Sequence, residues 1–167
     1  MEEIRNKVAE SGIITIDLEE FYPKGEICSF DIKEFLFMEM LLKEKDFRAS
    51  LDQHDWEQYK GKQVAVFCST DAIIPMWAYM LVSSKLSGFA SSIHEGTKED
   101  VFKSTFIQNI QAIKENDYQD KRVIIKGCGD KEIPAFAYTE ITNLLLPYVK
   151  SLMYGEACSA VPVFKRK

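Results

Sequence analysis

Asp71 and Asp130 each stand four residues ahead of a proline, Pro75 and Pro134, and each has a cysteine close by, Cys68 and Cys128. Carboxylate and thiolate are both metal ligands, and a thiol just ahead of a helix feels the positive end of its dipole and ionises more readily. Ser69 shares the first loop. His94 and Glu95 follow between the two loops, and Cys158 lies in a small-residue segment near the carboxyl end. Cys68, Asp71, His94, Cys128, Asp130 and Cys158 are therefore the candidate ligands for zinc or iron, assembled from separate loops without a short-range motif. The same thiols could act as a nucleophile or sulfur carrier. A phosphatase-type loop is excluded, because the positions that would need Arg hold Ile74 and Pro134.

Each of these residues also has a plain reading. An Asp in a loop is commonly a turn former, an unpaired Cys a small buried hydrophobe, and a lone His a solvated loop residue. Lys126-Gly127-Cys128-Gly129-Asp130-Lys131 has the glycines and lysines of an anion-binding loop, giving a phosphate-containing small ligand as a further candidate. It lacks both the dinucleotide fingerprint and the Gly-Lys-Ser/Thr of a phosphate loop. Tyr79 and Tyr138 fall one helical turn past the prolines, where they either pack or reach back to the loops.

The elements that position these residues recur. Tyr59 to Leu86 aligns with Tyr118 to Leu145 without a gap at a spacing of 59, with nine identities in 28 positions where about two are expected by chance. The identities include Val64/Val123, Asp71/Asp130, Pro75/Pro134, Ala78/Ala137 and Tyr79/Tyr138. Each copy reads as a strand, a loop and a proline-started helix, which puts the two Asp loops at the carboxyl ends of strands, where open α/β sheets bind ligands. The cysteines break the symmetry: Cys68 aligns with Gly127, and Cys128 with Ser69.

Alternation of strands at Val64–Phe67, Phe89–Ile93 and Val123–Ile125 with helices at Pro75–Leu86, Lys98–Lys114 and Pro134–Leu146 predicts an α/β fold with a layered, mainly parallel sheet. Residues 1–58 are expected to add a short helix over Glu2–Ser11, a hairpin from strands Ile13–Leu18 and Glu26–Phe30, a helix starting at a capping box of Asp31 and Glu34 and running to Leu42, and a second helix from Lys45 to Gln53. Val161–Phe164 suits an edge strand, where Pro162 is tolerated. The length of 167 residues predicts one domain, residues 1–167, with the internal repeat at 59–86 and 118–145.

A net charge of −5 argues against a nucleic-acid partner, which needs a broad basic surface; Lys165 to Lys167 reads as a solvated tail. No stretch approaches the about 18 to 20 apolar residues of a membrane span, and no C-x-x-C pair is present. A cytoplasmic protein with free thiols and no membrane partner is expected.

Asp55-Trp56-Glu57-Gln58-Tyr59, the segment from Cys68 to Met80, Lys126 to Lys131, and the tail from Gly155 to Lys167 together resemble a bacterial family known by its domain-of-unknown-function label, number 2480. The resemblance extends over nearly the whole chain. It implies no activity and no catalytic residues. Two readings therefore stand: a metal or sulfur site built from the loops, and a non-catalytic interaction or assembly module that binds a protein partner or a second copy.

Overall fold

The computed structural model describes residues 12–127 and 129–167. The expected helix over Glu2–Ser11, and Cys128, lie outside the described residues. The fold is α/β, with four α-helices and two open sheets of mainly parallel strands among the described residues. No helix there is long and apolar enough to cross a membrane.

The chain divides into two compact units, one formed by Lys24–Ser104 and the other by Met1–Pro23 with Thr105–Lys167. We call them the inner and the outer unit, from their order in the chain. The inner unit holds strands β2 (Ile27–Asp31), β3 (Gln63–Phe67) and β4 (Ser92–Glu95), all parallel in the order β2-β3-β4, with helices α1 (Glu44–Gln53) and α2 (Met76–Leu86). The outer unit holds β1 (Ile13–Asp17), β5 (Arg122–Lys126), β6 (Ser151–Tyr154) and β7 (Val161–Lys165), with helix α4 (Ala135–Leu145). Here β1, β5 and β6 are parallel, and β7 closes the edge antiparallel to β6. Helix α3 (Lys98–Gln111) contains the boundary between the units.

The two units are copies of one design. Ala78 N–H donates to Pro75 and Ala137 N–H to Pro134; Ser91 N–H donates to Lys62 and Lys150 N–H to Lys121; Gly96 N–H donates to Val66 and Gly155 N–H to Ile125. All three pairs are 59 residues apart, and Gly96 and Gly155 both take left-handed φ values, 119° and 110°. The repeat therefore runs on through β4 and β6, past the segment where side-chain identity is dense. It also reaches backward at a different spacing, because β1 and β2 are equivalent first strands 14 residues apart, each ending in an Asp that caps a 3-10 turn. One copy is nested within the other.

This nesting corrects the expected N-terminal hairpin. β1 and β2 do not pair with each other; β1 pairs with β5 and β2 with β3. The central strands explain why. Val64, Ala65 and Val66 of β3, and Val123, Ile124 and Ile125 of β5, are buried on both faces, and such strands need a hydrogen-bonded neighbour on either side. The expectation that the ends of β3, β4 and β5 follow one another along one sheet is corrected by the same fact, since β5 belongs to the other sheet.

The helix expected from Asp31 to Leu42 is a single 3-10 turn, Ile32–Phe35. Asp31 does cap it, but only Ile32 and Leu36 are buried while Phe37, Met38, Met40 and Leu41 are exposed, so the apolar run lacks the spacing of one helical face. β4 begins three residues later than the expected strand, because Phe89 and Ala90 N–H groups still close the end of α2 on Leu86. The edge strand at the tail forms as expected, with Pro162 at a register shift opposite Met153.

Candidate functional site

In the inner unit the carboxyl edge of the sheet is organised by Asp31. Its carboxylate accepts Lys33 N–H at 3.0 Å, capping the turn after β2, and Ser69 N–H at 3.0 Å, which ties down the loop after β3. Burial works against the charge, but the bonds from Ser69 and Lys33 outweigh it and hold the carboxyl below its usual range. Asp71, two residues beyond Ser69, is exposed and holds no hydrogen bond or ion pair among the described residues. The order of the loop therefore comes from Asp31, not from the Asp inside it.

Cys68 continues the alternation of Val64 and Val66 and packs half-buried against the core of α2. Tyr79 lies within electrostatic reach of Cys68 and of Glu95; burial, then those two charges, push its hydroxyl above the ordinary range. His94 does not join them. It is in register with Ala65 and Ser29, and register partners share a sheet face, which is the face opposite to that of Val64, Val66 and Cys68. Cys28 is on the α2 side, where burial raises its thiol and its Sγ lies 3.6 Å from the Gln63 carbonyl.

The outer unit repeats the plan with different partners. Asp17 caps its 3-10 turn through Glu19 N–H and pairs with Lys126 at 3.3 Å, a bond that raises the lysine. Glu19 accepts Lys131 N–H at 3.2 Å, and the Lys131 ammonium lies 4.5 Å from the centre of the Tyr22 ring. Both lysines of the glycine-rich loop are thus engaged within the unit. Its glycines serve close packing: a Cβ at Gly127 would sit 2.5 Å from the Tyr138 hydroxyl, and one at Gly129 would collide with the Glu19 carboxylate. An anion on this loop would have to displace Glu19. The Tyr138 hydroxyl lies against Gly127 of this loop, and its ring meets Tyr154 edge to face at 5.6 Å. Asp130 is exposed and, like Asp71, without a hydrogen bond or ion pair among the described residues. Cys158 is exposed in the turn between β6 and β7.

Among the described residues no three His, Cys, Asp or Glu side chains come together as a metal-binding group. The cysteines described, Cys28, Cys68 and Cys158, are free thiols.

A surface that the motif reading passed over lies on the inner unit. Ile73 is 94% exposed, Met76 71% and Met80 72%, and all lie along the loop and first turns of α2. Phe37, Met38, Met40 and Leu41 are exposed beside the end of β2, the strand next to β3. They are held out by a built turn: Phe37 N–H donates to Leu41 at 2.8 Å, Met40 N–H donates back to Phe37 at 3.1 Å, and Lys43 sits 3.3 Å from the centre of the Phe37 ring. Met38 and Glu39 both take left-handed φ, 50° and 59°, a conformation that costs a residue with a side chain about 1 kcal/mol. The signal that could have found this surface is the 59-residue alignment itself, since the outer copy has Glu132, Ala135 and Thr139 where the inner has Ile73, Met76 and Met80.

Fold and surface together define an internally duplicated α/β protein whose copies share a frame and differ in what they expose. Its sequence matches, over residues 2–166, the model of a family described as a protein of unknown function, DUF2480, and the chain belongs to that family. Comparisons with curated proteins and with solved structures gave no match.

Proposed function

We propose that this protein is an assembly module whose inner unit docks an apolar, basic-flanked segment of a protein partner on the carboxyl edge of its sheet. The observation that carries the reading is the internal comparison. At the same three places in one frame, the outer copy folds with Glu132, Ala135 and Thr139 while the inner copy exposes Ile73, Met76 and Met80. The frame does not need large apolar groups there, so they serve something outside it. Methionine is suited to this, because its unbranched polarisable chain adapts to a partner's shape. Glu34 and Asp71 are exposed around the same edge without an ion pair among the described residues, whereas Glu39 is paired with Lys33 at 3.2 Å; the two unpaired carboxylates favour a basic flank. A second copy would bring another net charge of −5 to this acidic edge, which disfavours self-association.

The metal or sulfur reading rests on less. Cys68 and Cys128 are its remaining loop thiols, and His94, on the opposite face of its sheet, does not support it. Zinc or iron in stoichiometric amount in untagged protein would revive it.

The docking reading is tested by placing a photo-crosslinking amino acid at Met80 or at Thr139 in cells. A defined protein adduct is expected from position 80, absent from position 139, and lost when Ile73→Glu, Met76→Ala and a Phe37→Ser change are added. No adduct at 80, or the same adducts at both positions, would rule the reading out. So would a large loss of stability in the Ile73→Glu, Met76→Ala, Met80→Thr variant, since those side chains would then be serving the fold.

A further inference from the structure

We propose that the outer unit carries a second site, unrelated to the docking edge, for a small anionic amphiphile: a carboxylate or phosphate head on an apolar body. A concavity of about 460 Å³ opens on the sheet of this unit, floored by Ile13, Met153, Pro162 and Phe164. That volume lies within the range of small-molecule sites. Its rim is basic, with Arg122, Lys150 and Lys165. Register builds the arrangement: Ile13, Arg122, Ser151 and Lys165 form one row across β1, β5, β6 and β7, so Arg122 and Lys165 flank Ser151 two strand spacings apart, about 10 Å between backbones.

Among the described residues none of the three cations has an ion pair or side-chain hydrogen bond, and none of those that line the concavity is a carboxylate. The neighbouring Arg166, by contrast, is tied to Asp120 at 2.9 Å and to the Pro147 carbonyl at 2.6 Å. Three like charges within about a Debye length of one another repel, and they do so here in a chain whose net charge is −5. A bound anion removes that repulsion, and the apolar floor selects one with an apolar body. Three cations are too few for a nucleic-acid backbone.

The duplication again supplies the control. Where the outer copy has Arg122 and Lys150 the inner copy has Gln63 and Ser91, and the inner copy has no counterpart of β7, which contributes Pro162, Phe164 and Lys165. The basic rim and part of the floor are therefore additions to the shared frame.

The full chain is titrated calorimetrically with octyl phosphate, octyl glucoside and inorganic phosphate. Octyl phosphate is expected to bind, and more tightly than either of the others. The Arg122→Gln, Lys150→Ser variant, carrying the inner copy's residues, is expected to keep its thermal midpoint and bind octyl phosphate about tenfold or more weakly. The Ile73→Glu, Met76→Ala, Met80→Thr variant is expected to bind it as the natural protein does. Sedimentation with vesicles of phosphatidic acid in phosphatidylcholine identifies the source of the head group: retention lost in the Arg122/Lys150 variant points to a lipid, and octyl phosphate binding without retention points to a free ligand. The site is overturned if octyl phosphate fails to bind, if octyl glucoside or inorganic phosphate binds equally well, if the Arg122/Lys150 variant binds undiminished, or if binding is lost in the Ile73/Met76/Met80 variant.

Discussion

At the scale of residues, the Asp that matters most to the inner unit is the one that no loop motif announced. Asp71 and Asp130 attract notice because they repeat at 59, yet both carboxylates are exposed without partners among the described residues. Asp31 and Asp17 repeat at 14, in Ile13-Ile-Thr-Ile-Asp17 and Ile27-Cys-Ser-Phe-Asp31, and they organise the strand ends. Their spacing was readable, but two repeats at different offsets are hard to recognise as one. Asp31→Ala leaves Ser69 and Lys33 N–H without their acceptor and should cost about 1–3 kcal/mol by urea denaturation, with Asp31→Asn costing less because it keeps an acceptor oxygen. Since its folded-state carboxyl is depressed, this contribution is complete above the ordinary value of 3.8 and fades as pH falls below it. His54 gives a second pH dependence of the same sign. Its Nε2 lies 3.0 Å from the Tyr59 hydroxyl and its ring packs edge to face on Phe30, Phe35 and Trp56. Burial lowers it below 6.5, so the unfolded chain takes up a proton first and stability drops as pH falls below 6.5. Thermal melts between pH 7.5 and pH 5, as about the useful window around that value, should show this slope, and His54→Gln should flatten it. Tyr59, held by burial at about 12, adds the opposite loss at high pH, beginning as the unfolded chain ionises near 10.

At the scale of elements, helices and central strands were legible because they carry strong local periodicity and their burial follows from it. Ala78, Val82 and Leu86 of α2, and Ala137, Ile141 and Leu145 of α4, are fully buried at the same positions in the two copies. Ile141→Ala should therefore lower stability by about 2–5 kcal/mol, while Thr139→Ala, on the exposed side of the same helix, should change it by about 0.5 kcal/mol or less. Equal effects would mean that the helix is turned differently from the arrangement described. Pairing was not legible. β1 and β2 are short strands separated by turn residues, which is what a hairpin looks like locally; what separates them is the demand of two distant central strands for outer neighbours. Nor was the segment from Phe37 to Leu41, where a run of apolar residues resembles a buried helix and is instead a tight exposed turn. Sites follow the elements that carry them: the Tyr138 hydroxyl lies against Gly127 of its loop, and the face that His94 occupies is set by the pairing of β4 with β3, which no local pattern displays.

At the scale of the whole molecule, nesting in the chain separates two copies that share one frame. In the inner unit Ile27 meets Gln63, only 36 residues on, and β4 follows through α2. In the outer unit Ile13 must meet Arg122, 109 residues on, with the entire inner copy between them. The cost of closing a flexible loop grows with the logarithm of its length, so this pairing is handicapped by about 1 kcal/mol relative to its counterpart when the intervening chain is unfolded. Once the inner unit has formed, the intervening chain is compact and the effective loop is shorter. The inner copy is therefore expected to fold first and to shorten the path for the outer one. Pulse-labelling hydrogen exchange during refolding should find amides of β3 protected before those of β5, although the two strands have the same length and the same double-sided burial. Asp31→Ala should slow the early phase, whereas Ile141→Ala should act on the later one. Simultaneous protection of β3 and β5 would show that the copies fold as one cooperative body, and would remove sequence separation as the feature that tells them apart.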